Sequence, residues 1–312
     1  MRTGMILLFL LALSIRGYAQ FPPPGCNENY FRQVITALAH DSMQGRLPGT
    51  QGEKDAAAII ARELKKAGCK PLQKKKFLFP FDYKNPDSVM THAAGNVIGA
   101  IRAKSEYTIV VGAHYDHLGW GKYHSNAPFT KAIHNGADDN ASGVAMLLGL
   151  AGWCQAHKKD LRYNMVFIAY DAEEDGLYGS RKFLESGLID TAKIACYLNF
   201  DMVGRMDTLK PILKIEGLSE YPVFDKMLPP DSLQPFAVRK VDPIFIGGSD
   251  NWNFEKQHIP GLSFSTGINE HYHKPEDDTD RINWKGMVQA SAYVREFILA
   301  LHKTPDLGKL VR

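Results

Sequence analysis

The chain has 312 residues, of which 45% are hydrophobic, and a formal net charge of +3. This length and composition predict one large hydrophobic core and a single main domain. A charge so close to zero gives no electrostatic reason to expect binding of nucleic acid. The one basic run, residues 74–76, is interpreted as the solvated end of an edge strand.

The first nineteen residues have the pattern of a secretory signal peptide. Arg2 precedes the apolar run MILLFLLALSI, and Gly17, Tyr18 and Ala19 provide a cleavage site with small residues. The run is shorter than the about 20 residues of a transmembrane helix, which disfavours a retained anchor. We expect cleavage after Ala19, a single catalytic domain over 20–312, no membrane span in the mature form, and a periplasmic or secreted location.

Export would expose the four cysteines of the chain to an oxidising compartment, where disulfides can form. Their spacing matches no zinc knuckle or CxxC motif. Two of them fall in a helical and a strand pattern, so buried free thiols are at least as consistent with the sequence as bridges. The pairing therefore stays open for Cys26, Cys69, Cys154 and Cys196.

Apolar periodicity predicts helices and strands that alternate along the chain. The helical spacing of Phe31, Val34, Ile35 and Leu38 predicts a first helix, and the other predicted helices are GTQGEKDAAAIIARELKKAG, ASGVAMLLGLAGWCQAH, GLYGSRKFLESG and NWKGMVQASAYVREFILALHK. The predicted strands are NVIGAI, YTIVVGA, NMVFIAY, IACYLNF and GLSFST. This order predicts an α/β fold with a mostly parallel central sheet and helices on both of its faces. The segment 118–136 lacks periodicity and is interpreted as a functional loop.

Titratable side chains follow almost every predicted strand in the middle of the chain. They are His114 and Asp116 after YTIVVGA, Asp171, Glu173 and Glu174 after NMVFIAY, Asp201 after IACYLNF, and His271, Tyr272 and His273 after GLSFST. Ligands of open α/β sheets bind at the carboxyl ends of the strands, so these groups should meet at one rim. Asp138 and Asp139 stand before a predicted helix, where either residue could simply be a cap.

Each of these residues has an ordinary structural explanation when it is considered alone. Two imidazoles and three or more carboxylates that converge on one rim, however, would bury charge unfavourably without a cation. Imidazole together with carboxylate suits zinc better than manganese or cobalt. The sequence therefore predicts a zinc site at this rim.

The motifs HYD, NGADDNASG, AEEDGLYGS, NFDMVG and YHKPEDD, in this order, resemble those of the secreted dizinc aminopeptidases. That metallopeptidase family also contains transferrin-receptor-like and glutamate-carboxypeptidase-like branches. The similarity covers nearly all of the mature chain. It implies one domain with the three-layer α/β/α zinc-peptidase fold, which agrees with the sheet inferred independently above.

The resemblance implies two zinc ions per chain and a role for each matching residue. His114 and Asp201 would bind one zinc, Glu174 and His273 the other, and Asp138 would bridge both, with a cis peptide bond between Asp138 and Asp139. Asp116 would orient the imidazole of His114, and Asp139 would lie behind the ligands or face the substrate. Glu173 would be the general base, and Tyr272 would donate a hydrogen bond to the oxyanion. Asp250, in an SD motif that lies near the site in relatives, would line the pocket or cap the next helix.

These roles imply an exopeptidase that removes amino-terminal residues from peptides. A carboxypeptidase on the same centre, a glutaminyl cyclase with one zinc, and an inactive binding module are the alternatives. The preferred terminal residue and the oligomeric state stay open. His117, His124, His134 and His271 have no assigned role and are expected on the surface or in loops.

Overall fold

The β-branched runs of the sequence form one nine-stranded sheet. The computed structural model describes residues 21–73, 75–84, 91–121, 124–241 and 249–311, so the predicted leader lies outside the described residues. The strands are β1 (Lys70–Pro71), β2 (Leu78–Lys84), β3 (Thr91–Ile101), β4 (Thr108–His114), β5 (Asn164–Tyr170), β6 (Ile194–Phe200), β7 (Ile212–Glu216), β8 (Ala237–Val241) and β9 (Gly261–Ser265).

The sheet order is β1-β3-β5-β4-β6-β9-β7-β8, and β2 also pairs with β3. The four central strands β5, β4, β6 and β9 are parallel to one another. Antiparallel pairing joins β3 to β5 on one side and β7 to β9 on the other. The predicted parallel sheet is thus the centre of a mixed sheet, and the carboxyl ends of its parallel strands meet at one rim.

Seven α-helices are found among the described residues, and they cover both faces of the sheet. They are α1 (Glu28–Leu38), α2 (Gln51–Lys66), α3 (Gly143–Ala156), α4 (Tyr178–Glu185), α5 (Asn251–Glu255), α6 (Trp284–Lys303) and α7 (Leu307–Leu310). The side chain of Thr50 caps α2 at the backbone N–H of Glu53, 3.3 Å away, and Gly68, with φ +82°, follows its end. No helix within the described ranges is long and apolar enough to cross a membrane.

Successive side chains of each strand point to opposite faces of the sheet, so the core lies in two layers. Ile109 and Val111 of β4 pack with α1, α2, α3 and α6 in the larger cluster, whereas Val110 packs with α4 and α5 on the opposite face. The predicted three-layer α/β/α fold is confirmed. Sequence periodicity did not predict β1, β7, β8, α5 or α7, which are all short.

The four cysteines are free thiols in this fold. Cys69, Cys154 and Cys196 are buried, and burial raises the pKa of Cys69 to about 12. Of the two states that the sequence leaves open, the structure therefore has the free thiols.

A buried imidazole at the end of α6 makes the stability of the fold depend on pH. Nδ1 of His302 accepts hydrogen bonds from the backbone N–H groups of Arg162 and Tyr163, at 3.1 and 3.2 Å. Burial, reinforced by the charge of Arg162, lowers the pKa of His302 from 6.5 to about 4. Between these two values the unfolded chain binds more protons, so this contribution to stability is present above pH 6.5 and is lost as the pH falls towards 4.

We expect the lost stability to reach roughly 3 kcal/mol over that interval. The His302→Asn variant keeps an acceptor but does not titrate, so its free energy of unfolding should fall less on acidification. Denaturant unfolding of metal-free wild type and variant at neutral pH and near pH 4.5 measures the difference. Equal pH dependence in the two proteins would contradict this role of His302.

Candidate metal centre

The parallel strands and one helix-initiating turn bring the predicted ligands to the same rim of the sheet. His114 is the last residue of β4, and Asp201 directly follows β6. Glu173 and Glu174 lie in the turn after β5, and His273 lies in the loop after β9. The turn before α3 supplies one further carboxylate, at residues 137–142. The expected convergence of these side chains is therefore present.

The carboxylate at the centre of this group is that of Asp139. Its Oδ1 lies 3.2 Å from Nε2 of His114, and its Oδ2 lies 3.2 Å from Nε2 of His273. His114 Nε2 also lies 3.6 Å from an oxygen of Asp201, and His273 Nε2 lies 3.2 Å from an oxygen of Glu174. The two oxygens of one carboxylate thus face two separate halves of the site.

The carboxylate of Asp138, to which the resemblance gave the bridging role, contacts neither His114 nor His273. Its Oδ1 accepts hydrogen bonds from the backbone N–H of Gly204 at 2.7 Å and from the hydroxyl of Ser142 at 3.2 Å. Its Oδ2 accepts one from the side-chain amide of Asn269 at 3.0 Å. Successive side chains of this turn point in different directions, so only the second aspartate faces the imidazoles. The cis peptide bond is also one position later, between Asp139 and Asn140.

The donor set of the centre fits zinc. The ligand atoms of His114, Asp139 and Glu174 all lie within 4.8 Å of one another, as do those of His114, Glu173 and Asp201. Imidazole nitrogens and carboxylate oxygens in one buried group are typical zinc ligands, and a cation would balance the convergent negative charge.

Asp116 orients the glutamate pair more directly than it orients His114. Its two carboxylate oxygens accept the backbone N–H groups of Glu173, at 3.0 Å, and Glu174, at 3.2 Å. Its distance to Nδ1 of His114 is 3.7 Å, too long for a hydrogen bond. The nearer acceptor for that nitrogen is the backbone carbonyl of Asp116, at 3.3 Å.

The two adjacent glutamates have opposite electrostatic environments. Burial raises the pKa of Glu173 well above its ordinary value. Burial and Asp139 also raise the pKa of Glu174, but hydrogen bonds with His117 and His273 outweigh them and lower it to about 2. Burial lowers the pKa of His114, yet the surrounding carboxylates, Glu173 first among them, raise it well above 6.5. Glu174 is therefore the fixed anion of the pair.

Two buried residues that had no assigned role position the turn that carries Asp139. Asp277 accepts the backbone N–H of Asp138 at 3.0 Å and that of Asp139 at 3.0 Å. The guanidinium of Arg46 donates four hydrogen bonds to backbone carbonyls, those of Tyr115, Leu38, Asn135 and Gly136. Burial lowers the pKa of Arg46 to about 10, so it remains charged at neutral pH. Arg46 thus joins the segment after β4 to the turn that carries Asp139.

His117, which was expected on the surface or in a loop, lies in the loop after β4 and is fully buried beside the centre. Its Nδ1 lies 2.7 Å from Oε1 of Glu174, and its Nε2 has no hydrogen-bond partner among the described residues. The imidazole therefore fixes the orientation of Glu174. His134, also fully buried, contacts the hydroxyl of Ser125 at 2.8 Å.

The aperiodic loop 118–136 contacts the His273 loop directly. The carbonyl of His124 lies 2.8 Å from Nδ1 of His273, and Asn126 donates to the backbone carbonyls of Tyr272 and His273. The ring of Tyr272 stacks on His273 with a centroid distance of 3.8 Å. Burial, together with the neighbouring carboxylates, raises the pKa of Tyr272 above its ordinary value, so its hydroxyl remains a donor.

Asp250 precedes α5 and is completely buried. Its side chain makes no capping hydrogen bond, and neither carboxylate oxygen has a hydrogen-bond partner in the part of the chain that is described. Burial raises its pKa to about 7. It is not among the residues that line the cavity, so it neither caps the helix nor lines the pocket as the sequence suggested.

A cavity of about 980 Å³ opens over the centre. Its floor includes His114, Asp139, Glu173, Glu174 and Asp201, and its rim includes Tyr272 and His273. This size accommodates several residues of a peptide or a small ligand. The convergent donors are thus accessible to a substrate.

Residues 96–298 match the peptidase family M28. The chain belongs to peptidase family M28. The matched segment runs from β3 into α6 and contains every candidate ligand.

One curated relative is the probable lipoprotein aminopeptidase LpqL of Mycobacterium tuberculosis. It is 38% identical over 127 residues, which are 40% of this chain and 22% of the relative. This chain spans between 22% and 63% of the lengths of the curated relatives that it matches.

Solved structures share the fold at lower identity. A leucine aminopeptidase precursor from Bacteroides thetaiotaomicron superposes with a TM-score of 0.72 at 19% identity, covering 90% of this chain and 99% of that one. The glutaminyl cyclase of Porphyromonas gingivalis superposes with a TM-score of 0.73 at 18% identity, covering 87% and 97%. The M28 fold alone therefore does not distinguish a peptidase from a cyclase.

Proposed function

We propose that this chain is a dizinc exopeptidase that removes amino-terminal residues from peptides. The observation that carries the proposal is the position of Asp139, whose two oxygens each lie 3.2 Å from a different imidazole. A carboxylate placed between two histidines that face its opposite oxygens is suited to bridge two cations. Membership of family M28 and the aminopeptidase name of LpqL support the same reaction class.

Each half of the site would hold one zinc. His114 and Asp201 would hold the first ion, His273 and Glu174 would hold the second, and both ions would share Asp139. Zinc, when bound, supplies Lewis-acid polarisation of a carbonyl group and lowers the pKa of a water molecule.

Glu173 is the residue that we assign to proton transfer. Its carboxylate lines the cavity and accepts no hydrogen bond from the described residues, so it is free to interact with water and substrate. Asp116 fixes its backbone at the end of β5. Glu173 takes a proton from the attacking water and delivers it to the leaving amine. Tyr272, which also lines the cavity, donates a hydrogen bond from its hydroxyl group to the developing oxyanion.

We also propose that the protein acts outside the cytoplasm. The signal-peptide pattern of residues 1–19 and the lipoprotein name of LpqL support this location.

We expect the purified protein to contain two zinc ions per chain after reconstitution, since two histidines and three carboxylates form two sets of donors that share Asp139. Chelation should abolish hydrolysis while the fold persists, and added zinc should restore it. Elemental analysis, circular dichroism and a panel of free and amino-blocked aminoacyl substrates measure these results.

Only substrates with a free amino terminus should be cleaved. One zinc together with cyclisation of an amino-terminal glutaminyl peptide would favour the cyclase instead. Release of residues from the carboxyl end of amino-blocked peptides would favour a carboxypeptidase. Two bound zinc ions without turnover of any substrate would indicate a binding module.

A further inference from the structure

The cavity over the metal centre has a basic wall as well as an acidic floor. The four carboxylates that line it all belong to the candidate centre, namely Asp139, Glu173, Glu174 and Asp201. Five cationic residues line the remainder, namely Arg181, Lys214, Arg239, Lys240 and Lys256. Cations bound at the centre would neutralise the carboxylates of the floor. The cationic side chains of the wall would then give the cavity a net positive charge.

Three of these cationic side chains already have local partners. Lys240 forms an ion pair with Asp225. Arg181 donates to the carbonyl of Gly176 at 2.8 Å and stacks on Tyr178, and Lys256 lies 5.0 Å from the ring centroid of Trp252. The remaining two, Lys214 and Arg239, form no ion pair with any described residue.

Lys214 and Arg239 are direct neighbours on the sheet. They are register partners in the parallel pair of β7 and β8, so their side chains project from the same face. Lys214 is also paired with Ser265 of β9, which lines the cavity as well. Like charges at directly opposed positions destabilise a sheet. An anion bound between Lys214 and Arg239 would relieve this electrostatic repulsion.

Protection of a sheet edge does not explain Lys214. β8 is the last strand of the sheet, and charged residues on such a strand discourage aggregation. β7, however, lies between β9 and β8. The Lys214 ammonium is also packed against the loop that leads to His273, since a Cβ on Gly267 would lie 2.1 Å from its Nζ. It is therefore held at the cavity wall.

We propose that Lys214 and Arg239 form an anion subsite that binds a carboxylate of the peptide substrate. The proposal rests on the exopeptidase function above and specifies its substrate class as acidic or very short peptides. Arg239 offers a planar donor pair that matches a carboxylate, and Lys214 offers a compact point charge beside it. The carboxylate can be that of an acidic side chain or the carboxyl terminus of a short peptide.

The test compares pairs of peptides that differ only in the presence of one carboxylate. One series consists of hexapeptide amides with Glu or Gln at the first, second or third position. The other consists of di- and tripeptides with a free or an amidated carboxyl terminus. We expect the wild type to prefer the anionic member of at least one series by roughly 10- to 100-fold in kcat/KM. A preference for Glu over Gln would show that the subsite binds an acidic side chain. A preference for the free over the amidated terminus would show that it binds the carboxyl terminus of the peptide.

The variants Lys214→Met and Arg239→Met should each reduce this preference. In the double variant, the ratio of kcat/KM for the anionic peptide to that for its neutral partner should fall to near one. Lys159→Met is the matched control, because it removes one exposed positive charge before the start of β5, at the end of the parallel strands opposite to the rim that carries the centre. It should keep the wild-type ratio. Circular dichroism and zinc content verify that each variant is folded and loaded.

Peptide binding to zinc-loaded proteins that carry the additional substitution Glu173→Gln, measured by calorimetry, gives a readout that does not require turnover. The same anionic preference in Kd is expected there, with the same loss in the variants. If no peptide is hydrolysed but this preference is found, the exopeptidase function fails and the subsite stands. Equal affinity for anionic and neutral peptides, or a preference that survives the double variant, overturns the subsite.

Discussion

Replacing Glu173 by glutamine is expected to lower peptide turnover by roughly 10²–10⁴-fold while the fold and both zinc ions are retained. The substitution keeps the size of the side chain but removes its basic oxygen. No described residue donates a hydrogen bond to the Glu173 carboxylate, so the amide should disturb little of the surrounding structure. Steady-state kinetics on zinc-reconstituted protein, with elemental analysis of the same samples, measures both quantities.

Glu174→Gln is the matched control because it changes the adjacent residue in the same turn. The Glu174 carboxylate lies 2.7 Å from His117 and 3.2 Å from His273, within one half of the proposed centre. This variant should lose zinc, and excess zinc should restore much of its activity. The ligand atom of Glu173 also groups with those of His114 and Asp201. Loss of metal from Glu173→Gln as readily as from Glu174→Gln would therefore make Glu173 a ligand and contradict its assignment.

The central part of the fold was predictable because its strands are buried on both faces. All seven residues of β4 and of β6 are buried, which gives each strand an unbroken apolar run and a polar stop at the site. The outer strands lack this signal. β8, with the sequence AVRKV, contains no fully buried residue, and β7 is interrupted by Lys214. The two strands that carry the proposed anion subsite were consequently missed.

The supporting residues of the site were harder to predict than the rim itself. Asp277 and Arg46 act through backbone groups that are distant in sequence, and hydrogen bonds of this kind leave no periodic pattern. Asp277 lies in the motif YHKPEDD, but sequence alone gives no reason to separate it from its neighbours. His117 follows the HYD motif directly, and its burial depends on the path of the loop after β4.

Sequence alone also could not decide which of Asp138 and Asp139 faces the two imidazoles. Both are acidic, both precede α3, and both are buried. Which of the two faces the imidazoles is decided by the backbone of the turn, where Asp277 holds both N–H groups. A pattern of residue types cannot contain this information, because shifting the assignment by one position leaves the pattern unchanged.

Substituting each aspartate by asparagine is therefore expected to give two different results. Asp139→Asn should weaken both zinc sites together, because an amide keeps only one acceptor oxygen where the carboxylate presents one to each half of the centre. Asp138→Asn should keep two zinc ions but destabilise the metal-free protein by about 1–3 kcal/mol, since the amide group would face donors from Gly204, Ser142 or Asn269. Zinc titration followed by elemental analysis measures the first effect, and denaturant unfolding of the metal-free proteins measures the second. Loss of only one zinc from Asp139→Asn would mean that Asp139 binds a single ion, and loss of both from Asp138→Asn with an unchanged metal-free stability would restore Asp138 as the bridge.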